Sequence, residues 1–313
     1  MFKKSLIFQI ILSGLCLSLN AHELSSTSHK TQNTGICDST HDEIARHFQS
    51  VKKHIALRWT AFQDTQEFKL FVPEKSDAIL KQEFENIHAT RELMWTTPLY
   101  APADHLVLKD LIRAPGCVAF DFNNTTPIYN ASTMYIGDKP YIACEGPRSK
   151  DIPSFFKLMT GAKVTHLVRL TDSYEGDTKK CHPYWEGLYQ LSDDISYLEV
   201  PSSDGAYLIR GYDMAYWRDN QGVDPRKLLE LVLQVREDVK EVDSLLLVHC
   251  SAGVGRTGTF LAAIAIVDAI DSGQPFSIEE IVYRLSLQRV HSVGKYGQYI
   301  TLHRIAEIYS KQK

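Results

Sequence analysis

Leu245-Leu246-Leu247-Val248-His249-Cys250-Ser251-Ala252-Gly253-Val254-Gly255-Arg256-Thr257-Gly258 is the stretch that decides how this chain is read. Its four leading aliphatic residues have the pattern of a parallel strand buried on both faces. The residues that follow, Thr259 to Val267, have the length and apolarity of a buried helix. Strand, tight loop and helix N-terminus together form an anion site, because unpaired backbone N–H groups converge there and the helix dipole adds partial positive charge.

Within the loop, Cys250 and Arg256 stand in the spacing C-x5-R. A cysteine at a helix N-terminus beside a guanidinium is in the setting that favours the nucleophilic thiolate. Gly253 and Gly255 let the backbone turn inward with no Cβ in the way. The expected phosphate cradle is therefore Ser251, Ala252, Gly253, Val254, Gly255 and Arg256, with the Arg256 fork taking two oxygens at once. Thr257 supplies a hydroxyl near the sulfur, suited to stabilising the thiolate as phosphate leaves. The chemistry this implies is in-line attack of sulfur on phosphorus, then hydrolysis of a cysteinyl-phosphate by water. A C-x5-R spacing alone also fits a structural cysteine in a glycine-rich turn.

The string H-C-S-A-G-V-G-R-T-G matches the signature loop of the protein tyrosine phosphatases at every diagnostic position. The chain resembles the tyrosine-specific, cysteine-based branch of that family from about Asn86 to its C-terminus. Ile128-Tyr129-Asn130-Ala131-Ser132 and Tyr141-Ile142-Ala143-Cys144-Glu145-Gly146-Pro147 are similar to the family's Y-I-N-A-S and Y-I-A-T-Q-G-P strands, and Lys180-Cys181-His182-Pro183-Tyr184-Trp185 to its K-C-x-x-Y-W segment. Tyr216-Trp217-Arg218-Asp219-Asn220-Gln221-Gly222-Val223-Asp224-Pro225 resembles the W-P-D-x-G-V-P loop, with Arg218 in place of proline and two extra residues in the turn. The resemblance makes Asp219 the general acid that protonates the leaving tyrosyl oxygen. Asp224 is the runner-up, and is also placed to cap a helix beginning at Pro225.

Three departures stand out. Ser286 replaces the first arginine of the family's L-R-x-Q-R helix end, here Leu285 to Arg289. Gly294 stands where the family's water-positioning glutamine belongs, which leaves Gln298 to cover that role alone or to serve only as a helix cap. Nothing in Arg91 to Tyr100 matches the K-N-R-Y segment that walls a deep phosphotyrosine pocket, so Trp95 and Tyr100 are open between substrate stacking and core packing.

Residues 1–21 combine Lys3 and Lys4 with an apolar run from Ser5 to Leu19, and are expected to be a cleaved export signal, with a retained anchor as the alternative. The exported product would be periplasmic or secreted, as a bacterial-looking member of the family. Removing the segment leaves 32 basic against 38 acidic side chains, a formal charge of −6. That balance argues against general nucleic-acid binding, and no metal or other cofactor is expected, since no H-E-x-x-H or C-x-x-C spacing occurs among the 12 histidines and 6 cysteines. Residues 22–40 read as a flexible lead-in and 41–313 as one catalytic domain. Short strands, Val164 to Leu170 and Tyr197 to Val200, alternate with helices at Lys227 to Lys240, from Ser277, and at Tyr299 to Tyr309. The expected fold is α/β, a twisted mixed sheet flanked by helices. Cys144 and Cys181 are expected to be reduced core residues. The function the resemblance implies is hydrolysis of phosphotyrosine in proteins or peptides. A cysteine-based inositol phosphatase and a phosphotyrosine-binding pseudophosphatase with impaired turnover are the alternatives.

Overall fold

The computed structural model describes residues 38–63, 67–95, 110–114, 116–186, 189–192, 195–202, 205–240 and 244–313. The expected export signal and most of the lead-in, with Cys37, lie outside the described residues. The chain divides into two units, Met1–His41 and Asp42–Lys313, and the fold is that of the second. Helix α1, Asp38–Gln63, begins inside the expected lead-in, at Asp38-Ser39-Thr40, residue types that favour helix starts. Helix α2 is Asp77–Trp95.

The central strand is the one the opening stretch announces. Strand β9, Leu246–His249, pairs in parallel with β2, Lys139–Cys144, on one side and with β3, His166–Arg169, on the other. The sheet continues through β8, Gly205–Asp213, to antiparallel β7, Ile195–Ser202, and β6, Tyr189–Ser192, while β1, Ala131–Ile136, closes the opposite edge. A parallel core with antiparallel edges makes the sheet mixed, as expected. A separate two-residue hairpin, β4 Tyr174–Glu175 with β5 Thr178–Lys179, follows β3.

Alternation along β9 divides the core in two. Leu246 and Val248 join the apolar cluster under α4 (Pro225–Asp238), α5 (Gly255–Asp271), α6 (Ile278–Ser286) and α7 (Tyr296–Ser310). Leu245 and Leu247 join a second cluster with Phe155, Leu158 and Met159 of α3, Ile152–Gly161. A strand buried on both faces has no polar side, which is why it reads as a continuous aliphatic run. Helix α5 is apolar nearly all round, Phe260 to Ile264 being buried without a break, as befits a helix inside the core. The helix starts expected at Pro225 and Ser277 are present: Asp224 accepts from Arg226 N at 2.9 Å, and Ser277 Oγ from Glu280 N at 3.2 Å. Among the described residues no helix is long and apolar enough to cross a membrane.

Candidate active site

The cradle runs from Cys250, directly after β9, to the first turn of α5. Its carbonyls are drawn outward by separate donors. Cys250 O accepts from His249 Nδ1 at 3.0 Å, Ser251 O from Gly146 N at 2.9 Å, and Gly253 O from Arg289 Nε at 2.6 Å. Arg289 Nη2 reaches Ala252 O at 3.4 Å. Among the described residues the N–H groups of Ser251, Ala252, Gly253 and Val254 have no protein acceptor, the state an anion-binding nest requires. Gly253 makes the tightest bend, at φ +70°; a Cβ there would meet Cys144 O at 2.0 Å, so only glycine fits between loop and strand.

His249 is locked from both sides, with its Nε2 2.5 Å from the Tyr184 hydroxyl. Complete burial pulls its pKa down to about 3, with the hydrogen bond to Cys250 O opposing and Arg169, Arg256 and Arg113 adding to the fall. It is thus a neutral imidazole that shapes the loop. Cys250 itself is buried.

Arg256 is fully buried and uses one edge of its guanidinium for anchoring. Nη1 donates to Glu175 Oε1 and to Trp217 O, both at 2.7 Å. Nε and Nη2, on the other edge, are buried without a hydrogen-bond partner, although Nη2 lies 3.3 Å from Asp219 Oδ1. Two parallel donors on one edge of a fixed guanidinium are what bidentate binding of a phosphate requires. Burial lowers the pKa of this group, but the charges of Cys250, Asp219 and Glu175 outweigh it and leave it raised. Thr257 Oγ1 is likewise buried without a partner.

The acid loop is folded over this edge. Trp217 is buried and closes the loop on itself, Nε1 donating to Gln221 O at 2.9 Å. The two extra residues are absorbed by a left-handed turn at Asn220, φ +62°, which asparagine tolerates better than most side chains. Gly222 then seats against α7, where a Cβ would come within 2.5 Å of Gly297 O. The Trp217–Asp219 register survives the insertion. Asp219 accepts from Lys180 Nζ at 2.9 Å through Oδ2, and its own N–H donates to Glu175 Oε2 at 2.8 Å. Burial raises the Asp219 pKa, but the Lys180 hydrogen bond and the charges of Arg256 and Lys180 overcome this and hold it below the usual carboxylate value. Asp224 is exposed and its carboxylate caps α4, so the two candidate acids separate by position.

Gln298 is buried at the start of α7 and does two things. Its Oε1 accepts from Lys295 N at 3.2 Å as part of a capping box, and its amide faces Gly255, where a Cβ would sit 3.0 Å from Nε2. The helix-cap reading of Gln298 is met, and the same side chain borders the cradle. Gly294 contributes no side chain.

The place left by Ser286 is filled from elsewhere. Arg91 of α2, fully buried, donates to Ser286 Oγ at 3.1 and 3.0 Å and to Val293 O at 3.2 Å. Arg91 opens the stretch, Arg91 to Tyr100, that has no match to the K-N-R-Y segment. Its first residue braces the loop before α7, while the side chains of 93–95 and all of 96–100, including Tyr100, lie outside the described residues.

Glu175 and Lys180 carry no role in the sequence reading, yet they tie the hairpin to both Arg256 and Asp219. Glu175 stands just upstream of the segment resembling K-C-x-x-Y-W, and Lys180 is its first residue, so that resemblance was the available signal. Cys117, Cys144 and Cys181 are free thiols, the last two buried in the core.

The family model described as protein-tyrosine phosphatase matches residues 117–199 and 193–307, more than half of the chain. Receptor-type tyrosine-protein phosphatase C of Rattus norvegicus is 29% identical over 196 residues, covering 55% of this chain, which spans only 15% of that relative's length. The crystal structure of the catalytic domain of human protein tyrosine phosphatase non-receptor type 18 superposes with a TM-score of 0.67 at 22% identity, covering 74% of this chain and 97% of that one. PTPN18 in complex with HER2 phosphopeptides gives a TM-score of 0.70 at 21% identity, covering 75% and 94%. At these identities the two structures speak for the fold. The matched residues carry the cradle, the acid loop and the hairpin that joins them, and the chain belongs to the protein-tyrosine phosphatase family.

Proposed function

We propose that this protein hydrolyses phosphotyrosine in proteins or peptides through a cysteinyl-phosphate on Cys250. The observation that carries the reading is the pairing of a loop of unpaired N–H groups with the Nε/Nη2 edge of Arg256, which makes no hydrogen bond, at the N-terminus of α5 beside Cys250. A phosphoryl dianion held there has its charge met by oriented donors that need no reorganisation. Cys250 attacks phosphorus, and Asp219 delivers a proton to the departing phenolate. Asp219 is held ionised by Lys180 and Arg256. An arriving phosphate dianion engages Arg256 and adds negative charge beside Asp219, and both effects push the carboxyl toward its protonated, donating form. Gln298, against the first residue of α5, is the side chain best placed to orient the water that frees phosphate.

Support for a phosphopeptide substrate comes from PTPN18, solved with phosphopeptides and sharing this fold. Export through residues 1–21 remains part of the proposal, resting on their composition.

The test is a panel of phosphotyrosyl peptides and inositol hexakisphosphate, assayed with the purified chain and with Cys250→Ser. The variant should bind a phosphate analogue and release no phosphate. Full activity in Cys250→Ser would refute the mechanism. Preference for the inositol phosphate would replace the substrate, and a single stoichiometric burst would make the protein a binding module.

A further inference from the structure

Glu145 follows β2 at the position where the resembling family strand carries glutamine, and it is completely buried. Its Oε2 accepts from Arg113 N at 2.9 Å and from Asn130 Nδ2 at 3.0 Å, while Oε1 is buried with no partner. A glutamine would place an N–H donor where this carboxyl has Oε1, and a protonated Glu145 does the same with an O–H.

The carboxyl is wired to the cradle. Asn130, which donates to it, accepts from Arg289 Nη1 at 3.4 Å through Oδ1. Arg289, fully buried, is the residue whose Nε and Nη2 hold Gly253 O and Ala252 O outward. The backbone makes a second link. Gly146, next to Glu145, donates to Ser251 O and lies so close to Cys250 that a Cβ would meet its carbonyl at 2.6 Å.

We infer that Glu145 is a positioning residue for the phosphate cradle, working as the neutral acid and loosening phosphate capture when it ionises, through Asn130 and Arg289. The inference rests on the phosphatase reading above. A carboxylate at this place attracts the Arg289 guanidinium away from the cradle carbonyls and sets a like charge beneath the bound anion. Burial raises the Glu145 pKa to about 7, against the opposing hydrogen bonds from Arg113 and Asn130 and the charges of Arg289 and Arg148. The other titratable groups facing it, Cys117, Cys144 and Tyr129, have pKa values raised by burial and stay neutral through this range. Activity would then carry a proton-linked term set behind the cradle, apart from those of thiol and acid.

The experiment compares the protein with Glu145→Gln, measuring kcat, KM for an aryl phosphate and inhibition by inorganic phosphate from about pH 5 to about pH 9. Ionisation of the substrate and of inorganic phosphate is common to both proteins and cancels in the ratio. Between about pH 6 and about pH 8, KM and the inhibition constant should rise roughly three- to tenfold more in the protein than in the variant, with kcat little changed; this is the scale of one buried charge acting on an anion across about 10 Å. Parallel profiles overturn the inference and leave the phosphatase reading standing, whereas absence of turnover in both proteins overturns that reading and leaves phosphate binding to judge Glu145. Should the variant not fold, infrared spectra of Glu279→Gln decide, since burial also pushes the Glu279 carboxyl up to about 7: a protonated-carboxyl band lost between those pH values supports the inference, and its absence at about pH 6 overturns it.

Discussion

Replacing Lys180 with methionine tests the electrostatic account of the general acid. The Lys180 ammonium lies 2.9 Å from Asp219 Oδ2, with 16% and 31% of the two side chains exposed. Opposite charges about 4 Å apart interact by about 1 kcal/mol in a water-like medium and about 4 kcal/mol near a protein surface. Partial exposure and the rotamer entropy of the lysine place this pair in the lower half of that interval, on the order of 1.5 kcal/mol. Burial then raises the Asp219 carboxyl against Arg256 alone among the side chains, so the acid should move upward in the variant. The sign follows from the role. Asp219 must be protonated to donate, so raising its pKa keeps it competent to higher pH. The basic limb of kcat/KM for an aryl phosphate with a poor leaving group should move up by about one pH unit. The position of the limb is the readout, because losing the Lys180 tie also frees the loop and alters the plateau. Asp219→Asn is the control, since it should remove the limb altogether. If the limb vanishes in Asp219→Asn and stays in place in Lys180→Met, the account of the acid is wrong.

Other outcomes follow from the same geometry. Asp219→Asn should lower kcat about 10²- to 10⁴-fold on substrates with poor leaving groups; Asp224→Ala should leave kcat within about twofold and cost about 1 kcal/mol in a denaturant melt, as for a lost helix cap. Gly253→Ala must accept a left-handed backbone and a Cβ 2.0 Å from Cys144 O; a loss of roughly 2–5 kcal/mol together with phosphatase activity is expected, and an unchanged melting temperature would contradict the packing. Glu145 in the folded protein titrates near pH 7, above its ordinary value, so the folded state is penalised increasingly as pH rises from about 4.5 through about 7, by a total on the order of 3 kcal/mol. Glu145→Gln lifts that penalty, so its stability relative to the unaltered protein should improve between about pH 5 and about pH 8, read by thermal melts at each pH; a constant difference would show that the buried carboxyl does not titrate there.

The parts of the site that lie close together in the chain were legible in it. Strand, cradle and helix occupy one run from Leu245 to Asp271, and local geometry brings Cys250, the unpaired N–H groups and Arg256 together. The mixed sheet was legible too, because a strand with no polar face must lie between neighbours, and β9 does. Asp219 could be singled out in the sequence because its spacing from Trp217 outlasts the insertion, where the structure has a left-handed turn at Asn220. Helix starts at Pro225 and Ser277 were readable from cap chemistry that involves only the adjacent turn.

Interactions across the fold were not. Glu175 meets Arg256 across 81 positions and Arg91 meets Ser286 across 195, and no periodicity or spacing links such pairs. Ser286 alone looked like a lost arginine, and only tertiary packing shows that α2 returns a guanidinium to the same neighbourhood. Glu145 makes the same point from within a recognised segment. The sequence determined that a carboxyl stands there, but whether it is an ordinary acid or a group titrating near neutrality depends on burial and on Arg113, Asn130 and Arg289, brought around it from three other parts of the chain. Local sequence fixes the backbone geometry of the cradle because short-range sterics and hydrogen bonding suffice for it. The charge states of the side chains around it are decided by desolvation and distant partners, which exist only once the chain is folded.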